Sequence, residues 1–179
     1  MGIGFEWPDE EYTSLLAEHG ERLARLAFLL TGNRADAEDA VQDAVISVAR
    51  NWQAMSKQSP AGYLRTAVTR RAIDIVRRRR HLPLDEVLDL GRPDAGYLRL
   101  EGDIEFTRML QELPERQRAV LVLRYHQQLD DREIARVLGC TQATVRSQAS
   151  RGLAKLREKT DAGDRAMQGG ELNGSGRTA

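Results

Sequence analysis

Residues 130–157 read D-D-R-E-I-A-R-V-L-G-C-T-Q-A-T-V-R-S-Q-A-S-R-G-L-A-K-L-R, and this stretch predicts two helices joined by a tight turn. Asp130 is positioned to cap a short first helix, and Gly139 can adopt the positive φ that ends it. Thr141 is a good N-cap for a second helix. The pattern therefore predicts a helix-turn-helix, a motif that lays its second helix in the major groove of DNA.

The predicted second helix has one apolar and one polar face. Its apolar stripe, with successive spacings of four, four and three, is Val145, Ala149, Leu153 and Leu156, and the first helix turns Ile134, Ala135 and Leu138 inward. The start and the other face of the second helix supply candidates for DNA contacts: Thr141, Gln142, Thr144, Arg146, Ser147, Ser150, Arg151 and Lys155. A packed corner of two helices with a solvated charged face is the alternative for this segment.

The composition limits the class of protein. The chain has 179 residues, 41% hydrophobic and 30% charged, with no net charge, which argues against a protein that simply coats DNA. A single cysteine excludes an intrachain disulfide, and three scattered histidines do not form a metal site with it. The standard enzyme motifs, a signal peptide and a long apolar run are absent from the sequence. We therefore expect a cytoplasmic protein that is not an enzyme and needs no cofactor.

Charge is distributed unevenly along the chain. Residues 9–51 carry a net charge of −5, and residues 64–81 carry a net charge of +6. Opposite fields on neighbouring helices indicate one surface for a protein and another for a polyanion, although charge separation without functional meaning is the alternative.

Helical periodicity extends over most of the chain and predicts an all-α protein of two small helical domains joined by a flexible linker. We expect a first helix of about 22 residues from Pro8-Asp9, then helices at about 35–51 and about 60–80, with Tyr63 among the core residues of the third. The predicted domains cover 9–81 and 103–159, with the linker at 82–102 and a disordered tail at 160–179.

Two helices of the first domain carry candidate binding residues. In segment 34–43, Asp36, Asp39 and Asp43 share one helical face, which favours docking of a basic partner over metal binding or acid–base catalysis. The third helix and the loop before it supply phosphate-binding arginines and one aromatic that could stack on an unpaired base. These nucleic-acid candidates are Trp52, Arg65, Arg70, Arg71, Arg77 and Arg78, followed by Arg79 and Arg80.

Three motifs, in this order, resemble the small extracytoplasmic-function (ECF) group of bacterial RNA polymerase sigma factors, in particular its actinobacterial-type members. D-A-E-D-A-V-Q-D at 36–43 is similar to the D-A-E-D-L-V-Q-E signature of region two. Y-L-R through A-I-D at 63–74, with the following arginines, resembles the helix that opens and reads the −10 element. L-P-E-R-Q-R-A-V at 113–120 and T-V-R-S at 144–147 resemble the opening and the recognition helix of region four, which reads the −35 element.

The resemblance implies specific partners for the candidate residues. Asp36, Asp39, Gln42 and Asp43 would bind the clamp helices of the largest catalytic subunit of RNA polymerase, and region four would meet the flap of the second-largest subunit. Promoter DNA and an anti-sigma factor are the other implied partners, and the free protein is expected to be a monomer. The chain departs from the family pattern at Ala40, Asp43, Arg70, Gln148 and Ala149; the family usually has asparagine at the position of Arg70.

The sequence thus predicts a sigma factor that brings core polymerase to specific promoters and helps to melt the −10 region. Two other classes are possible. A stand-alone helix-turn-helix regulator would bind duplex DNA as a dimer without polymerase. An anti-sigma or adaptor protein would explain the acidic helix, but not the two basic faces.

Overall fold

The structure, a computed structural model, describes residues 10–52, 59–79 and 102–171, with side chains for all of these except 102–105 and 162–171. The described residues form seven α-helices and no strand, which confirms the all-α prediction. The helices are α1 (Glu10–Thr31), α2 (Arg34–Arg50), α3 (Pro60–Arg79), α4 (Gly102–Gln111), α5 (Glu115–Leu121), α6 (Asp131–Leu138) and α7 (Gln142–Glu171). The predicted linker at 82–102, apart from its last residue, lies outside the described residues.

Helices α1, α2 and α3 pack against one another and form an N-terminal unit. Gly32 ends α1 with a φ of +72°, and the Asn33 side chain caps α2 by accepting from the amide of Asp36. The Tyr12 hydroxyl donates to the carbonyl oxygen of Val45 over 2.6 Å and so ties α1 to α2. This unit holds the acidic α2 and the basic α3 side by side.

The prediction that α3 buries Tyr63 was wrong, because 47% of this side chain is exposed. The buried face of α3 instead follows a four-residue spacing through Leu64, Val68 and Ala72. Since each residue turns the helix by about 100°, Tyr63 lies on the flank of this stripe.

Helices α4 to α7 form a C-terminal unit around Leu110, Val120, Leu123, Ile134 and Val145, all of which are fully buried. A π-helical turn at Val122–His126 continues α5, which the sequence pattern did not predict. A disordered tail was expected from residue 160, whereas the last helix continues to Glu171, and residues 172–179 lie outside the described residues. Alanine, arginine, methionine and glutamine in this stretch favour a helix, whereas Gly163, Gly169 and Gly170 disfavour it, so its composition did not predict the extension.

The two units contact each other. The Gln111 side-chain amide at the end of α4 donates to the carbonyl oxygen of Leu29 in α1 over 3.1 Å, and α3 contacts both α5 and α6. The candidate DNA-binding helix of the first unit therefore lies beside the helix-turn-helix of the second.

Candidate functional site

The turn of the helix-turn-helix forms as its sequence predicts. Asp130 accepts from the amide of Glu133 over 2.7 Å, and the Glu133 carboxylate accepts from the amide of Asp130, which together make a capping box for α6. Gly139 has a φ of +63°, and the Thr141 hydroxyl accepts from the amide of Thr144 over 3.1 Å. The local chemistry of these few residues sets the direction of α7.

The predicted recognition face of α7 lies on the surface. The apolar stripe at Val145 and Ala149 is buried, while the polar side chains of the opposite face are exposed. These exposed residues are Thr141, Gln142, Arg146, Ser147, Ser150, Arg151 and Lys155. Thr144, the remaining predicted member, is half-buried and lies with Gln148 in a cleft between α7 and α3.

Asp131 is a residue of this site that the sequence analysis missed. Its carboxylate pairs with Arg124 of the π-helical turn and lies 3.9 Å from the guanidinium of Arg146. The Arg146 side chain remains 63% exposed. Asp131 can therefore orient the guanidinium towards solvent and still leave its N–H groups accessible to another partner. In the sequence, Asp131 was marked only by its position next to Asp130. The capping role explained Asp130 and left Asp131 without an assigned function.

The acidic face of α2 is divided by burial. Asp39 and Gln42 are exposed, and Asp43 is exposed but paired with Arg71 of α3. Asp36, by contrast, is buried, and its carboxylate lies 2.7 Å from the guanidinium of Arg79. Burial raises the pKa of Asp36, Arg79 opposes this shift, and Asp39 adds to it. Asp36 therefore links α2 to α3, whereas the other three remain accessible to a partner.

The arginines of α3 point in several directions. Arg71 and Arg79 hold the acids of α2, and Arg77 pairs with Asp74 one turn back on its own helix at 2.9 Å. Arg78 is exposed, whereas Arg65 is half-buried. Arg70 reaches across to the helix-turn-helix, where it donates to carbonyl oxygens at the end of α6. Arg80 lies outside the described residues.

Trp52 belongs to the core of the N-terminal unit. Only 2% of it is exposed, and its ring meets Tyr12 edge-on, with 4.9 Å between the ring centroids. An indole in this position has no free face for a nucleic-acid base. Stacking on DNA would require Trp52 to leave the core.

Within the described part of the chain, no cluster of three or more histidine, cysteine, aspartate or glutamate side chains could hold a metal ion. Among these same residues, no helix is both long enough and apolar enough to span a bilayer.

Comparison with known families matches both units. Residues 15–82 match the family described as Sigma-70 region 2, and residues 103–156 match the family described as Sigma-70, region 4. The two matches together leave out residues 83–102, between the units.

Individual proteins show the same likeness. The chain is 34% identical over 157 residues to the ECF RNA polymerase sigma factor SigE of Mycolicibacterium smegmatis, covering 82% of this chain and 60% of that relative. It is 30% identical over 146 residues to the ECF RNA polymerase sigma factor SigM of Mycobacterium tuberculosis, covering 81% of this chain and 74% of the relative.

A solved structure extends the likeness to the fold. The sigma factor RpoE of Bartonella quintana, crystallised in complex with the anti-sigma factor NepR, aligns with a TM-score of 0.65 at 22% identity. The alignment covers 84% of this chain and 96% of that one.

Proposed function

Because the chain belongs to the ECF group of RNA polymerase sigma factors, we propose that it directs core polymerase to specific promoters and helps to melt their −10 region. One observation carries this proposal. A single chain combines an exposed acidic face on α2 with an exposed polar and basic face on the second helix of a helix-turn-helix. The first face suits a basic protein surface, and the second suits the major groove of DNA.

The polymerase contact is assigned to Asp39, Gln42 and Asp43. Each is exposed on α2, and a carboxylate that receives a charge-assisted hydrogen bond contributes about 1.5–3 kcal/mol. Asp36 is left out of this surface because it is buried against Arg79. Its proposed role is to hold α2 and α3 at the spacing that both binding faces need. The partners are the clamp helices of the largest catalytic subunit, while region four meets the flap of the second-largest subunit.

Contact with the −10 region is assigned to the arginines of α3. Arg70, Arg77 and Arg78 are exposed and can neutralise phosphates, and Arg65 and Arg71 lie on the same helix at partial exposure. The burial of Trp52 favours a supporting role, in which the indole anchors the end of the N-terminal unit's second helix against Tyr12 of α1.

Contact with the −35 element is assigned to the recognition face of α7. Arg146 and Arg151 are the candidates for bidentate hydrogen bonds to guanine, and Ser147 and Ser150 lie between them on the exposed face. Thr141, Gln142 and Thr144 are at the start of α7, where the helix dipole favours a nearby phosphate. Lys155 lies further along the helix and is assigned a phosphate contact.

The remaining assignments follow from this role. Phosphodiester chemistry would belong to the polymerase core, so this chain would act as a non-enzymatic, dissociable subunit in the cytoplasm and would be a monomer when free. An anti-sigma factor is a further proposed partner, which the complex of the RpoE relative with NepR supports. A stand-alone dimeric regulator is not favoured, because such a protein has no use for the unit that matches region 2.

Run-off transcription tests the proposed function. Core polymerase is supplied with a library of promoter fragments, with and without this protein, and the initiated fragments are sequenced. We expect initiation from a restricted set of fragments only when the protein is present. Tight binding of the protein alone to one duplex as a dimer, without any effect on core polymerase, would instead support the regulator.

A further inference from the structure

The guanidinium of Arg70 joins the two units of the molecule. Its Nε donates to the carbonyl oxygen of Val137 over 3.0 Å, and its Nη2 donates to the carbonyl oxygen of Arg136 over 3.3 Å. These carbonyls belong to the last turn of α6, where a helix has no amides of its own to offer. The two amides that follow, those of Gly139 and Cys140, both donate to Ala135. Arg70 therefore caps the C-terminus of a helix in the other unit.

The chemistry of this contact favours arginine. The C-terminus of a helix carries a partial negative charge, which attracts a cation, and the planar guanidinium can donate to two neighbouring oxygens at once. Arg70 also lines a cleft of about 300 Å³ between α3 and the helix-turn-helix, together with Cys140 and Thr144. Together with the hydrogen bond between Gln111 and Leu29, it holds the chain in a closed form.

The closed form is too short to occupy a whole promoter. Promoter elements named −10 and −35 are about 25 base pairs apart, which is roughly 85 Å at 3.4 Å per base pair. A compact chain of this length has a radius of gyration of about 16 Å. The two units must therefore separate before α3 and α7 can reach their elements together, and Arg70 must first leave α6.

We propose that Arg70 is an autoinhibitory latch, which caps α6 in the free protein and becomes available to DNA only when the two units separate. The consequence for promoter binding rests on the proposed function, whereas the closure itself does not. One guanidinium cannot occupy both positions, so closure withdraws a −10 contact and also prevents the chain from spanning the promoter.

The test uses Cys140, the only cysteine of the chain, as a reporter in the full-length free protein. The rate of its reaction with a maleimide is measured in the wild type, Arg70→Ala, Arg70→Lys and Arg78→Ala. We expect Arg70→Ala to react about tenfold faster, which corresponds to about 1.4 kcal/mol less stable closure. Arg70→Lys should lie between, because lysine keeps the charge but lacks the planar fork. Arg78→Ala, an exposed arginine on the same helix, should react like the wild type.

Small-angle X-ray scattering of the same proteins provides the second measurement. The radius of gyration should increase in Arg70→Ala, while the helical circular dichroism stays unchanged. Equal thiol rates and equal radii in the wild type and Arg70→Ala would overturn the latch, as would an equal rise in Arg78→Ala. Because neither measurement uses polymerase or DNA, failure of the latch is distinguishable from failure in run-off transcription.

Discussion

The two units differ in whether their charged candidate residues are paired with one another or exposed to solvent. In the N-terminal unit, acids of α2 pair with arginines of α3, as Asp36 does with Arg79 and Asp43 with Arg71. In the C-terminal unit, the exposed face of α7 points to solvent, and Arg146 lies at a long 3.9 Å from Asp131. Binding through Asp43 or Arg71 thus requires an exchange of partners, whereas the second unit presents a face that is already accessible.

The free energy needed to separate each ion pair depends on how deeply its carboxylate is buried. The Asp43–Arg71 pair is partly exposed on both sides, and such pairs contribute about 1 kcal/mol or less. A polymerase surface or a phosphate can replace either partner at little cost. Asp36 is only 8% exposed in its side chain, so losing Arg79 would leave a buried carboxylate unpaired. The first pair is suited to exchange, and the second to holding the unit together.

Reversing the exposed charges of α2 should have the greatest consequence for function. Asp39→Arg together with Asp43→Arg should abolish co-purification with core polymerase, because the docking face changes sign and Arg71 loses its partner. The helical circular dichroism should not change. The matched control, Glu18→Arg with Glu21→Arg on α1, reverses the same number of exposed charges and should still co-purify. Undiminished binding by the α2 variant would remove α2 from the interface.

The next effect concerns the core that supports α2 and α3. Trp52→Ala should lower the free energy of unfolding by about 3–5 kcal/mol, as expected for a buried tryptophan reduced to alanine, and urea denaturation measures this. Trp52→Leu retains part of the apolar volume but has no aromatic face. If Trp52 only packs, the leucine variant should melt the −10 region as the wild type does in permanganate footprints. A folded leucine variant that fails to melt DNA would instead support stacking on a base.

Substitutions on the exposed face of α7 should have a more moderate effect on initiation. Arg146→Ala and Arg151→Ala should reduce initiation through the −35 element, and at least one should change which bases are preferred, since a bidentate arginine discriminates by about 1–3 kcal/mol. Lys155→Ala should weaken all sequences alike and reduce the dependence on salt. Transcription of a library with a randomised −35 element by each variant measures both. Unchanged activity and preference in both arginine variants would reduce the segment to a packed corner.

The smallest effect tests the link between α1 and α2. Tyr12→Phe removes the hydrogen bond to Val45 and should lower the free energy of unfolding by about 1 kcal/mol at neutral pH. Burial raises the pKa of Tyr12 to about 12 from the ordinary 10. A raised pKa means that the folded state favours the protonated phenol, so this contribution is fully present below pH 10 and is lost as the pH rises through 12.

Unfolding at a series of alkaline pH values measures this dependence. The wild type should lose stability relative to Tyr12→Phe between pH 10 and 12, the window given by the two pKa values. Tyr125→Phe, at an exposed tyrosine, serves as the control and should match the wild type throughout. A difference between wild type and Tyr12→Phe that does not change with pH would contradict the assigned cause.

Much of the site on α7 was predictable because its determinants lie close together in the chain. The caps at Asp130 and Thr141 and the positive φ of Gly139 each involve side chains or amides within about three residues. The exposed face then follows from helical periodicity once Val145 and Ala149 are assigned to the core. The acids of α2 were also identified, although the sequence pattern could not separate Asp36 from the other two.

Most of the helices, the caps of the helix-turn-helix and the likeness to a sigma factor were readable from the sequence alone, because they depend on neighbouring residues and on the order of motifs. Three further features emerged from helix packing: Trp52 is buried, Tyr63 is exposed, and Arg70 caps a helix 67 residues away. These outcomes depend on how each helix is rotated against its neighbours. Rotation is set by the packing of whole faces, and no short stretch of sequence contains it.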